Sequence, residues 1–411
     1  MAHLAMISPA LVSHLAVHLA TAEVLMRRGH RVTLIAPPRL AQVVSGMPAH
    51  LRPERLPDLL PLDGPPMAPP QGMRALLAHV AAETAAHCRQ TPDLLARIGA
   101  DLVIADQMEP GGSLAAEAAG LPRATLGAAL PVNREPGLPP AFVGWAYATG
   151  ARAEKNYAGA WRVTDWLMAA QGRALAQGCR DHGLASRDRL SDWVSPLCDV
   201  VQGVGALDFP RLAPGPGFRR VGAIRRPEPP APLLDTGGRM AVFASVGTLQ
   251  PGKAGLLRRI AAAAADLDLC LVLAHCGALT QAEAQRLPGR PIVADYFAQR
   301  GVLAQCAAAI IHGGFNTVLD AAAHRVPMVV LPLAYEQPGI AARVARAGAG
   351  VVLPRWGRGR AALRHALEQV IRDPGFRCAL DPAASQLAAA GGADGAADLI
   401  ERLLPAALSA A

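Results

Sequence analysis

Aromatic residues make up only 4% of the 411 residues, so the core has to be built mainly from Ala, Leu and Val, which suits helices packed on a parallel sheet. Dense Lys/Arg runs are missing as well, and the few aromatics are not interleaved with basic residues, which argues against nucleic acid as a partner. The formal net charge of +8 is carried mostly by Arg scattered singly along the chain. That leaves two readings, a solvated basic surface or attraction for anionic lipid or a phosphate ligand. The seven cysteines, Cys88, Cys179, Cys198, Cys270, Cys276, Cys306 and Cys378, are odd in number and contain no CxxC pair. They point to reduced thiols in a cytoplasmic compartment. A membrane-length apolar run is also wanting. The nearest, Ala5 to Met26, is interrupted by Ser8, Pro9, Ser13, His14, His18 and Glu23 and has no basic stretch before it, so neither a transmembrane helix nor a signal peptide is expected. No repeat of solenoid period is evident.

What is present is length and hydrophobicity. A chain of 411 residues, 52% hydrophobic, exceeds what one core usually serves, and two domains are expected. The first opens with the strand "HLAMI", the loop "SPALVSH", and an amphipathic helix whose apolar face carries Leu15, Leu19, Ala22 and Met26. Gly29 ends that helix and "HRVTLIAP" follows as a strand, the beginning of a doubly wound parallel sheet. "DLVIAD" at 101–106 reads as a later strand. The Pro/Gly-rich segment 208–238 reads as irregular, its last part forming an interdomain linker. Strand-like runs resume with "MAVFASVGT", "LCLVLAH", "PIVAD", "AAAII" and "MVVLP".

The most informative stretch is "IIHGGFNTVLDAAAHRVPMVVLPLAYEQPG", residues 310–339. Its order is strand, glycine-rich loop, helix start, at the carboxyl edge where open parallel sheets bind ligands. Gly313 and Gly314 allow close backbone approach, and the first helical turn near Asn316 and Thr317 offers free N–H groups, so a phosphate or pyrophosphate is the natural guest. His312 adds a donor toward the same oxygens. Asp320 reads either as an acceptor for ribose hydroxyls or as an early-helix acid complementing the dipole. Glu336 and Gln337 come to the same edge after the next strand, and an acceptor carboxylate beside an amide suits several sugar hydroxyls.

These residues resemble the donor signature of the nucleotide-sugar glycosyltransferases of GT-B fold, the large UDP-glycosyltransferase family. The likeness extends over nearly the whole chain, through "SVGT" (Ser245 to Thr248) and "DYFAQ". It implies an α/β fold of two Rossmann-like, doubly wound parallel-sheet domains facing across a cleft. Residues 1–225 would bind the acceptor, 226–238 link the domains, 239–385 bind the donor, and 386–411 form a helix crossing back to the first domain. It also implies that Tyr296, three positions before Gln299, stacks on uracil. Two positions depart from the family: Glu336 stands where Asp is usual, and Arg325 where Gly is usual.

Transfer of a sugar to an alcohol needs a base, and a histidine following the first strand can supply one. His14 occupies the place of the family's catalytic base, with Ser13 before it where Gly is common. Asp106, ending "DLVIAD", matches the acid that orients it. By spacing alone the pair could equally be a satisfied loop histidine and a strand-end cap. His14 and His18 stand at i, i+4 like helical zinc ligands, but the Glu of HExxH and a third ligand are missing. "DLD" at 266–268 imitates a metal-binding carboxylate pair at the wrong end of a strand. Metal-independent catalysis with no cofactor is therefore expected, with UDP-glucose as donor substrate.

"DQMEPGGSLAAEAAGLP", "ALPVNREPGLPP", "SVGTLQ" and "LVLAHCGAL" are similar to stretches of carotenoid glycosyltransferases of the zeaxanthin glucosyltransferase type. This narrower resemblance implies an apolar hydroxylated acceptor, inversion to a β-glucoside, and peripheral contact with lipid on the inner face of a membrane. Rival expectations are a macrolide, sterol or other lipid acceptor, a sugar-nucleotide epimerase, and a catalytically silent protein of the same fold.

Overall fold

A computed structural model of the chain describes residues 1–48, 51–52, 55–64, 72–228, 230–247 and 253–405. Short apolar runs rich in Val, Ile and Leu form the central strands, buried on both faces, with more exposed strands at the sheet edges, and every pairing between the strands is parallel, as expected where helices cover both sides of a sheet. In the first sheet these are β1 (His3–Ile7), β2 (Arg31–Ala36), β3 (Asp58–Pro61), β4 (Leu102–Asp106), β5 (Arg123–Gly127), β6 (Asp199–Val201) and β7 (Phe218–Arg220). Their order is β3-β2-β1-β4-β5-β6-β7. The second sheet holds β8 (Ala241–Ser245), β9 (Cys270–Ala274), β10 (Ile292–Ala294), β11 (Ala308–Ile311), β12 (Met328–Val330) and β13 (Gly350–Val352), in the order β10-β9-β8-β11-β12-β13. Each order reverses once, between β1 and β4 and between β8 and β11. Ligands in such sheets bind at these reversals, beyond the carboxyl ends of the strands.

Three sequence expectations change. The helix after β1 starts at Val12, so His14 lies in its first turn rather than in a loop. Nor is that helix half-solvated: His14, Leu15, Val17, His18, Leu19, Ala20, Thr21, Ala22, Val24 and Leu25 are all buried. The reason lies far along the chain. The helix Gly392–Glu401 covers it, adding Ala393, Ala396, Ala397 and Ile400 to the first domain's core, where burying a side chain the size of Ile400 is worth about 2 kcal/mol. Arg28 reinforces the contact with ion pairs to Asp398 and Glu401, each at 2.7 Å. Third, the segment 208–238 is not wholly irregular, because Phe218–Arg220 pairs with β6 as a short edge strand, a position that tolerates neighbouring prolines.

The domains meet along a packed seam. Arg343 of the helix Gln337–Arg346 donates to Asp208 at 2.6 Å and lies over the Phe209 ring, 4.2 Å from its centroid. Gly339 is required there, since a Cβ would overlap the Ala141 carbonyl oxygen. Arg226 reaches Glu23 at 2.5 Å and Arg300 reaches Glu228 at 3.2 Å.

Candidate active site

Between the domains lies a cavity of about 1230 Å³, larger than the several hundred Å³ a single small ligand usually needs. Both carboxyl edges open into it. From the first domain come His14, Met108, Glu109 and the apolar Leu76, Leu77, Val80, Phe142 and Val163; from the second come Ser245, Gly247, Tyr296, Gln299, His312, Gly314, Asn316, Thr317, Asp320, Glu336 and Gln337. Thr248 lies outside the described residues.

At the first reversal, His14 Nδ1 and Asp106 Oδ2 are 2.7 Å apart. Asp106 Oδ1 accepts from the Met108 N–H at 2.7 Å, which fixes the carboxylate, and the carboxylate in turn fixes the ring. Nδ1 is thereby committed as a donor and Nε2 is left for the cavity. Burial works against a charged imidazole, but the charge and hydrogen bond of Asp106, helped by Glu336, outweigh it and hold His14 above its ordinary value. Asp106 is itself buried, yet His14, His18 and the Met108 N–H keep its carboxyl below the usual range. His18 is no second base. Its Nδ1 lies 3.0 Å from the His14 carbonyl oxygen, and burial depresses it.

At the second reversal, the helix Phe315–Ala323 begins beside β11 without any side-chain cap, so its first N–H groups and its dipole are free for an anion. Gly313 takes φ 87, a conformation that suits glycine alone. His312 is walled by Gly247 and Gly314, where added Cβ atoms would lie 2.8 and 2.5 Å from its Nε2. Its Nδ1 faces the Ser245 carbonyl oxygen at 3.4 Å, and burial pushes the imidazole down to about 4. Near pH 7 the surroundings thus favour the neutral ring. Ser245 is buried beside it, and Lys253 donates to the Gly247 carbonyl at 2.5 Å.

The remaining donor-side residues form two groups. Asp320 is fully engaged, accepting from Arg225 Nε at 2.9 Å and Gln299 Nε2 at 2.8 Å, while Thr317 bonds Gln299 Oε1 at 3.3 Å. A ribose hydroxyl would have to join or displace this network. Asn316 reaches across the cleft, donating to the Ser13 carbonyl at 3.2 Å and accepting from Gln202 at 2.7 Å, so the donor helix start and the His14 turn are tied directly. In the second group, Gln337 Oε1 accepts from the Leu333 and Ala334 N–H groups at 2.7 and 3.0 Å. Half of its amide therefore holds the loop, and only Nε2 is left for a ligand. Tyr335 has φ 57, a strained conformation for a non-glycine residue, at the turn that precedes Glu336; burial raises the Glu336 carboxyl while a backbone hydrogen bond and the His14 charge counteract it. Tyr296 is 42% exposed on the cavity wall.

Sequence pattern had not suggested Arg225, Gln202 or Glu109. Arg225 and Gln202 carry no motif and act only through tertiary contacts. Glu109 is buried, takes the Thr84 hydroxyl at 2.9 Å, and is pushed by burial up to about 8; its only sequence signal is its place three residues after Asp106.

Residues 258–401 match the family model for the C-terminal domain of erythromycin biosynthesis protein CIII-like proteins. The chain is 36% identical to zeaxanthin glucosyltransferase of Pantoea ananas, over 98% of this chain and 96% of that protein. It is 37% identical to the zeaxanthin glucosyltransferase of Pseudescherichia vulneris, over 98% of each. Among solved structures, the kitacinnamycin glycotransferase superposes with a TM-score of 0.78 at 24% identity, covering 98% of this chain and 99% of that one. The calicheamicin glycosyltransferase CalG4 gives 0.76 at 21% identity, covering 98% of each. Two doubly wound sheets facing across a cleft are thus the GT-B fold, and the chain belongs to the glycosyltransferase family that includes the zeaxanthin glucosyltransferases of Pantoea ananas and Pseudescherichia vulneris.

Proposed function

We propose that the protein transfers glucose from UDP-glucose to a hydroxyl of a carotenoid such as zeaxanthin, with inversion, giving a β-glucoside. The observation that carries this reading is the His14–Asp106 pair, 2.7 Å apart, on a cavity wall that is apolar on one side and faces an uncapped helix N-terminus on the other. The similarity to two zeaxanthin glucosyltransferases over 98% of the chain supports the choice of acceptor and sugar.

In this mechanism His14 Nε2 takes the proton from the acceptor hydroxyl as its oxygen attacks the anomeric carbon. The bond from that carbon to the diphosphate oxygen breaks, its electron pair leaves with UDP, and Asp106 stabilises the imidazolium. The first N–H groups of the helix Phe315–Ala323 and His312 meet the diphosphate charge, so no metal or cofactor is required. Asp320 and Gln299 hold the ribose, Tyr296 stacks on the base, and Glu336 with Gln337 Nε2 bonds the glucose hydroxyls. Because a carotenoid partitions into bilayers, the enzyme works in the cytoplasm as a peripheral protein on the inner face of a membrane.

The test is incubation with UDP-glucose and zeaxanthin in detergent micelles, with and without EDTA, and analysis of the product by mass spectrometry and by the anomeric proton coupling. A β-glucoside in both conditions is expected. An α-linked product sinks the inverting mechanism, and loss of activity in EDTA sinks the metal-free one. Turnover of a macrolide aglycone or a sterol but not of zeaxanthin replaces the acceptor.

A further inference from the structure

The helix Ala151–Leu167 wears its polarity the wrong way round for a helix that faces only water. Its inner side buries Ala153 and Tyr157 and sends Trp161 Nε1 to the Leu138 carbonyl at 3.0 Å. Its outer side carries Val163 at 56% exposure, Trp166 at 75% and Leu167 at 41%, and the same face presents Arg152, Lys155 and Arg162. The spacing 152, 155, 159, 163, 166 keeps these positions on one face. None of the three basic residues makes an ion pair among the described residues. Met73, Phe142 and Trp145, also exposed, continue the patch. Seven of its members, Met73, Phe142, Trp145, Lys155, Arg162, Val163 and Leu167, at the same time line the cavity, while Trp166 and Arg152 do not, so the patch is the rim of the cavity mouth.

We propose that this face docks on an anionic bilayer, with Trp166, Val163 and Leu167 entering the interface and Arg152, Lys155 and Arg162 meeting lipid headgroups, so that the acceptor passes from the bilayer into the cavity without crossing water. Large apolar side chains set among unpaired basic ones are what an anionic interface binds, whereas a protein partner of ordinary surface would leave the three charges uncompensated. Tryptophan in particular prefers the boundary between headgroups and acyl chains. The inference rests on the apolar-acceptor reading, but the vesicle binding that tests it is measured without acceptor.

The experiment is cosedimentation of the full chain with vesicles of phosphatidylcholine alone and of phosphatidylcholine with phosphatidylglycerol, in low and in 0.5 M salt. Binding to the anionic vesicles should be at least tenfold tighter and should fall with salt. Trp166→Ser should weaken it about tenfold, and Arg152→Glu at least fivefold, the order expected for an interfacial basic residue. Both variants should keep wild-type UDP binding and wild-type rates on acceptor presented in detergent micelles. Equal affinity for the two vesicle types, or unchanged binding by Trp166→Ser, overturns the docking face while leaving the acceptor assignment standing. Failure to glucosylate any carotenoid, with vesicle binding as described, overturns the acceptor assignment and leaves the docking face.

Discussion

His14, after β1, and His312, after β11, each stand beside the point where its sheet reverses strand order, yet their surroundings drive them in opposite directions. A buried carboxylate holds His14 above its ordinary value. Around His312 there are, among the described residues, a carbonyl, two glycines and no carboxylate, and burial, helped by the Lys253 charge, pushes it down to about 4. One imidazole is held toward its protonated form and the other toward its neutral form. The same side chain is driven in two directions because the groups packed on it differ, not because the fold does.

Removing the first histidine should produce the largest effect. His14→Ala is expected to lower turnover by about 10² to 10⁴, the usual contribution of a general base, while calorimetric titration gives unchanged UDP affinity. Turnover within threefold of the wild type would take His14 out of the mechanism. Asp106→Asn should cost somewhat less and reveals the sign of the coupling. The base must be neutral to act, so kcat/KM in the wild type rises with pH through a value above that of free histidine. Without the carboxylate charge that rising limb should move to lower pH, and a limb that stays in place means Asp106 does not set the His14 proton.

For the other histidine the comparison predicts proton uptake on binding. Nδ1 faces a carbonyl, so Nε2 can donate to a phosphate only if it gains a proton. UDP titrations at pH 6 in buffers of different ionisation enthalpy should therefore show uptake of a fraction of a proton, absent in His312→Ala, whose affinity should fall about 10- to 100-fold, the loss of a charged hydrogen bond. Zero uptake by the wild type would erase the contrast between the two rings.

A smaller effect belongs to Gln337. Because Oε1 holds the loop, alanine would confound sugar binding with loop support; Gln337→Glu keeps that acceptor and exchanges the Nε2 donor for a charged acceptor oxygen. UDP-glucose should bind about 5- to 20-fold more weakly, as for one lost hydrogen bond, and UDP within twofold. Equal losses for both ligands would transfer Gln337 from the sugar to the nucleotide or to the fold.

How far the sequence reveals all this depends on where each residue's constraint comes from. β1, β4, β8, β11 and β12 are legible because central parallel strands, buried on both faces, read as unbroken apolar runs. β3, β6 and β7 are not: they hold four, three and three residues at or near the sheet edge, and their pairing is imposed by neighbours. The 26-residue helix Met73–Ile98 carries Pro92 inside it, which on sequence grounds reads as a break. In the site, His14 and Asp106 could be placed by their position after strands, and the resemblance gave them roles. The double use of Gln337, the engagement of Asp320 by Arg225, and the tie from Asn316 to Ser13 depend on contacts between distant segments, and no local pattern encodes them. Arg325 lies between: standing where the resemblance implies a usual glycine, it takes φ 53, so the departure is met with backbone strain rather than avoided.

The helix Gly392–Glu401 has a consequence for how the molecule is made. The first domain's core includes Ala393, Ala396, Ala397, Ile400 and Leu404, side chains synthesised 173 to 184 residues after β7 ends at Arg220. A nascent chain that has delivered all seven strands of the first sheet still exposes the apolar face of the helix Val12–Arg27, and it does so throughout synthesis of the entire donor domain. At ribosomal speeds of roughly 5–20 residues per second, that interval lasts on the order of ten to forty seconds. The half of the protein born first is the half finished last.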